Sequence, residues 1–199
     1  MIIGVLALQG AVAEHIRSLE QVGVQTAVVK KKEQLDEIDG IIIPGGESTT
    51  IGRLMRVYGF IDALREFSRR QKPIFGTCAG MIVLAKRIVG QEETHLGLMD
   101  ITVARNAFGR QRESFETDLA VGGIGDRVRA VFIRAPLIES VGDGVEVLAE
   151  YRGQIVAARQ NHLLAASFHP ELTDDCRLHA YFADMVKQYR GAGSRRETL

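Results

Sequence analysis

Tryptophan is absent from these 199 residues, cysteine occurs twice and proline four times. Two cysteines, Cys78 and Cys176, exclude a disulfide scaffold and any four-cysteine zinc site. One bridge between them stays open on counting alone; two reduced thiols in a cytoplasmic protein is the plainer expectation. An excess of one charge is missing too, since 25 Lys plus Arg balance 25 Asp plus Glu. Proteins of nucleic acids and membrane surfaces need a basic excess to meet phosphate, so the balance speaks against both. No segment offers the 18 or so uncharged apolar residues of a spanning helix. The apolar start, Met1 to Leu8, has no basic leader and meets Glu14, His15 and Arg17 almost at once. It reads as a buried strand and not as a signal segment. With 46% hydrophobic residues, disorder is excluded as well.

What is present is an alternation of strand and helix. Ile2 to Leu8 is a continuous apolar run, as in a strand covered on both faces. Val12, Ile16, Leu19 and Val22 recur at helical spacing over Ala11 to Val22, and Gly23 stops that helix. Strands follow at Val24 to Val29 and Gly40 to Ile43, with Lys30 to Lys32 as a solvated exit and Asp36, Glu37 and Asp39 in a loop without a metal site. Ser48-Thr49-Thr50 is expected to cap a helix through Val57. Phe60 to Arg70 is a further helix, Pro73 to Gly76 a short strand and Ala79 to Arg87 a helix behind it. This pattern predicts βαβ units and a parallel sheet. The second half predicts strands at Ile101 to Ala104, Phe115 to Val121, Val128 to Ile133, Val145 to Tyr151, Ile155 to Arg159 and Leu163 to Phe168. A turn at Arg152-Gly153 joins two of them. Asp174 to Tyr189 is a closing helix. No repeat or linker divides the chain, so residues 1–190 read as one α/β domain, and 191–199 as a disordered tail.

Three local patterns carry chemistry. Gly76-Thr77-Cys78-Ala79-Gly80 lies between a strand and an apolar helix and is the thiol counterpart of a nucleophile elbow. Its glycines make room for a strained turn, and the helix start favours thiolate. The N–H of Ala79 is then placed to stabilise an oxyanion. His169-Pro170-Glu171 follows the last strand. Pro170 fixes the backbone, and a carboxylate two residues on can set the imidazole tautomer. His162 competes as base, but it sits at the other end of that strand, roughly 20 Å away at strand rise per residue. Pro44-Gly45-Gly46-Glu47-Ser48 turns the backbone after a buried strand. The ends of strands one, three and four fall at the carboxyl edge of the sheet, where open α/β folds bind ligands. Each pattern alone also fits a packed turn or a buried thiol.

In chain order the Gly-Gly turn, cysteine elbow and late His-Pro-Glu resemble the class I, triad-type glutamine amidotransferases. Gly45-Gly46-Glu47-Ser48-Thr49-Thr50, Arg105-Asn106-Ala107-Phe108-Gly109-Arg110-Gln111, Phe132-Ile133-Arg134-Ala135-Pro136 and Ser167-Phe168-His169-Pro170-Glu171-Leu172 are similar to the glutaminase subunits of pyridoxal 5′-phosphate synthases. Leu8-Gln9-Gly10-Ala11-Val12 and Glu14-His15 fit the same group. The resemblance departs at Asn161-His162, where members often carry glycine. It implies a three-layer open sheet, mainly parallel, with antiparallel strands in the second half. It implies Cys78 as nucleophile, His169 as base and then acid, and Glu171 as the orienting carboxylate. Gly45, Gly46 and Ala79 would form the oxyanion hole, and Gly46, Glu47, Ser48, Arg105, Ile133 and Arg134 would line an L-glutamine site. Arginines suit the α-carboxylate of free glutamine. No cofactor or metal is implied. The implied partner is a synthase subunit in a large hetero-oligomer that receives ammonia and builds pyridoxal 5′-phosphate. Other glutaminases share the triad motif, and a non-catalytic module or a cysteine hydrolase remain rival readings at this point.

Overall fold

A computed structural model describes residues 1–108 and 114–194. The expected residues Gly109, Arg110 and Gln111 therefore lie outside the described residues, as do 195–199. Strands β1 (Ile2–Leu6), β2 (Gln25–Val29), β3 (Gly40–Ile43) and β4 (Ile74–Thr77) alternate with helices α1 (Val12–Gln21), α2 (Ser48–Val57), α3 (Phe60–Arg69) and α4 (Ala79–Leu84). Then come β5 (Ala85–Ile88), β6 (Met99–Ala104), β7 (Ser114–Val121), β8 (Gly125–Ile133), β9 (Leu137–Val141), β10 (Glu146–Tyr151), β11 (Gln154–Gln160), β12 (Leu163–Ala166) and α5 (Arg177–Ser194). The helix α5 runs on through residues 191–194, which the sequence reading assigns to the tail.

The main sheet has the order β2-β1-β3-β4-β12-β11-β9-β6-β5, with β10 paired to β11. From β2 to β12 every pairing is parallel. Beyond β12 the pairings are antiparallel until β5, which runs parallel to β6. Alternate side chains of one strand enter different cores. Ile41 and Ile43 pack with α2, α3 and α4 on one face. Ile42 packs with α1, α5 and the β7–β8 ribbon on the other. Burial on both faces explains the unbroken apolar strands of the first half.

Four local features depart from expectation. The helix after Cys78 ends at Leu84, and Ala85–Ile88 becomes an edge strand. Ala85 and Ile88 are buried while Lys86 and Arg87 are exposed, a three-residue spacing that mimics a helical turn. Pairing with β6 across a bulge overrides it. Glu139 and Ser140 interrupt the apolar pattern of strand β9, and the acidic loop contains a 3₁₀ turn, Lys32–Glu37. The cap of α2 is Glu47, whose carboxylate accepts from the N–H groups of Thr49 and Thr50 at 3.1 and 2.8 Å. An anion there also meets the positive end of the helix dipole, so Glu47 takes the place expected of Ser48. Asn161 takes φ 52° between β11 and β12. Asparagine tolerates that left-handed state, which glycine adopts freely.

Candidate active site

The parallel strands all end on one edge. Gln9 follows β1, Gly45-Gly46 follows β3, Cys78 follows β4, and His169 follows β12. Because β4 and β12 are neighbours in parallel register, Ala166 lies beside Thr77. That pairing brings residues 91 positions apart to one place. The backbone N–H of Cys78 donates to Ala166 O at 2.8 Å, and that of His169 donates to Val131 O at 2.8 Å. The cysteine turn is thus pinned to the main sheet and the histidine turn to the β7–β8 ribbon.

Cys78 has φ 51° and ψ −110°, a conformation that a non-glycine residue takes only under constraint. The flanking glycines supply that constraint. A Cβ on Gly76 would lie 2.4 Å from Gly80 O, and one on Gly80 would lie 2.1 Å from Ile43 O. Strand, elbow and α4 therefore approach to backbone contact. Gly45 is also hemmed in: a Cβ there would stand 2.6 Å from His169 Cε1 and 3.3 Å from Cys78 Cβ. The Gly-Gly turn, the thiol and the imidazole touch one another.

His169 Nδ1 lies 2.7 Å from Glu171 Oε1, whose side chain is fully buried. Pro170 opens a single 3₁₀ turn that holds this pair. Burial opposes charge on His169, but hydrogen bonds to Cys78 and Glu171 outweigh it and push the pKa up to about 10. The ring is thus an imidazolium at neutral pH, with Nδ1 on the carboxylate and Nε2 left for the sulfur.

A cavity of about 500 Å³ opens beside the sulfur. Gly46, Glu47, Ser48, Cys78, Ala79, Arg105, Ile133, Arg134 and His169 all line it. Gly45 and Glu171 stand just behind its wall. Gln9, Ile82, Asn106 and Pro136 also line it, and the sequence reading gave them no role. Gln9 Oε1 accepts from the N–H of Glu47 at 2.6 Å, which ties the end of β1 to the Gly-Gly turn. Its one signal in the sequence is position, at the carboxyl end of the first strand. Bonds from Thr49 and Thr50 overcome burial and lower the Glu47 pKa to about 2. Glu47 Oε1 also pairs with Arg105 Nη2 at 3.0 Å. Among the described residues Arg134 has no ion-pair partner, and its backbone is held at φ 44°. The cavity thus offers an anion, a cation and a thiol along one wall. His162 lies elsewhere, bonded to Ser68 Oγ at 2.7 Å and beside a separate cavity with Arg159 and Tyr189.

Residues 5–188 match the SNO glutamine amidotransferase family. A pyridoxal 5′-phosphate synthase subunit PdxT of Niallia circulans is 73% identical over 96% of this chain and 100% of its own. The subunit of the same name from Geobacillus sp. (strain WCH70) is 65% identical over 94% of this chain and 98% of its own. A solved glutamine amidotransferase structure superposes with a TM-score of 0.90 at 51% identity, covering 94% of this chain and 100% of the other. A structure of a putative GMP synthase subunit from Thermoplasma acidophilum, 19% identical with a TM-score of 0.71, shares the fold. Sheet order, a strained cysteine at the carboxyl edge and near-complete coverage by these relatives agree, and the chain belongs to the SNO glutamine amidotransferase family.

Proposed function

We propose that this enzyme hydrolyses L-glutamine to L-glutamate and ammonia through a Cys78-His169-Glu171 triad and passes the ammonia to a synthase subunit that makes pyridoxal 5′-phosphate, a step of vitamin B6 biosynthesis. The observation that carries the reading is the meeting of Cys78 and the His169–Glu171 pair at the wall of one cavity that also holds Arg134. The α-carboxylate of glutamine pairs with Arg134, and its ammonium with the Glu47 carboxylate. Arg105 then fixes Glu47. With the substrate so held, its side-chain amide lies over the sulfur.

The sulfur attacks the amide carbon, and the carbonyl oxygen becomes an oxyanion. The N–H of Ala79 and the Gly45-Gly46 backbone stabilise that charge. His169 Nε2 gives its proton to the nitrogen, the C–N bond breaks and ammonia leaves. What remains is a γ-glutamyl thioester. His169, now neutral, takes a proton from water, and the hydroxide formed attacks the thioester carbon. The C–S bond breaks with its electron pair going to the sulfur, and the new γ-carboxylic acid loses its proton to water and leaves as glutamate, with His169 again an imidazolium. Glu171 keeps the imidazole in one tautomer throughout.

The names of the relatives, subunits of pyridoxal 5′-phosphate synthase, support a second subunit as the ammonia acceptor, and the reading puts both in a cytoplasmic hetero-oligomer. The experiment is a glutamine hydrolysis assay with and without purified synthase. Cys78→Ala should remove all but about a thousandth of the activity, since a covalent route loses its nucleophile. The glutamine analogue 6-diazo-5-oxonorleucine should label Cys78 and spare Cys176. Label on Cys176, or an active Cys78→Ala protein, would reverse the assignment.

A further inference from the structure

His15 and His179 lie in the apolar stripes of α1 and α5 and are fully buried. A polar ring in a core requires partners. His15 Nδ1 is 2.9 Å from His179 Nε2. His15 Nε2 is 3.3 Å from Thr77 Oγ1 and 3.5 Å from Glu171 Oε2. Glu171 Oε2 has no other polar partner among the described residues, whereas Oε1 holds His169. The carboxylate of the proposed triad therefore stands between two histidines, one on the cavity side and one in the core.

Burial drives the His15 pKa well below its ordinary value, helped by His179 and His169. Burial lowers that of His179 to about 4. Both rings are neutral at neutral pH, with one N–H each. With the His15 proton on Nδ1, its Nε2 lone pair would face the carboxylate. His179 would then carry its own proton on Nδ1, which is buried without a hydrogen-bond partner. The other arrangement gives each ring N–H an acceptor and sets an N–H, not a lone pair, against the carboxylate, with the Thr77 hydroxyl oxygen as a second acceptor. His179 Nε2–H donates to His15 Nδ1, and His15 Nε2–H points at Glu171 Oε2, with Thr77 Oγ1 beside it. Only the Nδ1 lone pair of His179 is left bare, an acceptor and not a donor. At 3.5 Å the final contact steers by charge–dipole attraction more than as a short hydrogen bond.

We propose that His15, held in its Nε2–H tautomer by His179, is a positioning residue that fixes the Glu171 carboxylate for His169. The proposal rests on the triad reading above and extends it two residues into the core. The groups that face His15 are Thr77 from β4, Glu171 and His169 from the turn after β12, and His179 from α5, against which the apolar ring of Phe75 packs.

Long-range proton–nitrogen NMR correlation on protein with ¹⁵N-labelled histidine reads the tautomers directly, in the unmodified chain. His15 and His179 should both carry the proton on Nε2. A proton on Nδ1 of His15 would overturn the proposal. Kinetics with synthase present give the second test. His15→Leu should lower kcat about ten- to a hundredfold, the size seen when a partner behind a functional ligand is removed, with KM for glutamine within about twofold. His15→Gln, whose amide N–H can reach the Nε2 position, should recover most of that loss. Equal loss in both variants, or a rise in KM with kcat unchanged, would reduce His15 to packing and sink the idea. An active Cys78→Ala protein would instead remove the triad and leave the tautomers as measured.

Discussion

Gly46→Ala tests the oxyanion role of the Gly-Gly turn, and its size can be worked from the structure. Gly46 has φ 142°, where a side chain costs about 1–3 kcal/mol. The new Cβ would stand 2.3 Å from Gln9 Oε1, so Gln9 must withdraw. That breaks the bond from Glu47 N to Gln9 Oε1, now 2.6 Å long, at about 1 kcal/mol. The sum, about 2–4 kcal/mol, is below the stability of most domains, so the variant should fold. To escape the strain the 45–46 peptide must rotate, which turns an oxyanion donor away. One such donor is worth about a hundred- to a thousandfold in turnover. Gly23→Ala is the control: φ is 78° and no atom lies within 4 Å of the new Cβ, so it bears backbone strain alone. The assay is turnover at saturating synthase, with binding followed by sedimentation and stability by urea. Gly46→Ala should bind normally and turn over about a hundredfold more slowly or worse, while Gly23→Ala loses stability only. Turnover of Gly46→Ala within about threefold of wild type would refute the reasoning. The same flexible peptide is a natural switch for partner gating. A free subunit that already runs at its complexed rate would remove that role.

Three further outcomes are expected. His169→Asn should lose nearly as much activity as Cys78→Ala, because the two act as a unit, while His162→Asn, bonded to Ser68 far from the sulfur, should stay near wild type in a steady-state assay. Arg134→Ala and Arg105→Ala should raise KM for glutamine more than they lower kcat; a collapse of kcat at constant KM would move the arginines into the transition state. Stability should fall in acid: the His179 pKa is lowered from 6.5 to about 4, so the unfolded chain takes up a proton that the folded one refuses. Its share is intact above pH 6.5 and is lost as pH falls toward 4, by about 2.5 kcal/mol at pH 4.5. His169, raised to about 10, stays protonated in the folded state, while the unfolded imidazole takes up its proton only as pH falls through 6.5, so His169 offsets about 0.8 kcal/mol of that loss between pH 7 and 4.5. Urea unfolding at pH 7 and 4.5 should show the difference, and His179→Leu should shrink it.

The parts of this protein that could be read in the sequence are those where sterics leave one solution. Gly76 and Gly80 flank Cys78 because backbone meets backbone at both positions, and only glycine fits. The apolar runs of β1 and β3 announce a sheet covered on both faces. Other features depend on contacts that no local pattern carries. Gln9 looks like the polar end of a strand, and its bond to Glu47 exists only because β1 and β3 pair. His15 and His179 sit at core positions of amphipathic helices, where a lone histidine reads as filler. Only the packing of α1 near α5 joins them. β5 was hidden by a spacing that fits a helical turn, and β9 by its polar residues Glu139 and Ser140.

The place of β12 has a consequence for synthesis of the chain. This strand comes near the carboxyl end of the sequence, yet it sits mid-sheet, between β4 and β11. A ribosome-bound chain that has released Cys78 still lacks the strand that carries His169 to it. Until residues 163–171 leave the exit tunnel, the edge of β4 is open and the thiol has neither base nor finished cavity. Closing the sheet and bringing His169 to Cys78 are therefore one late event. An incomplete chain holds a cysteine without the means to spend glutamine, and its exposed β4 edge makes it a candidate for chaperone capture until the final turn of the sequence arrives.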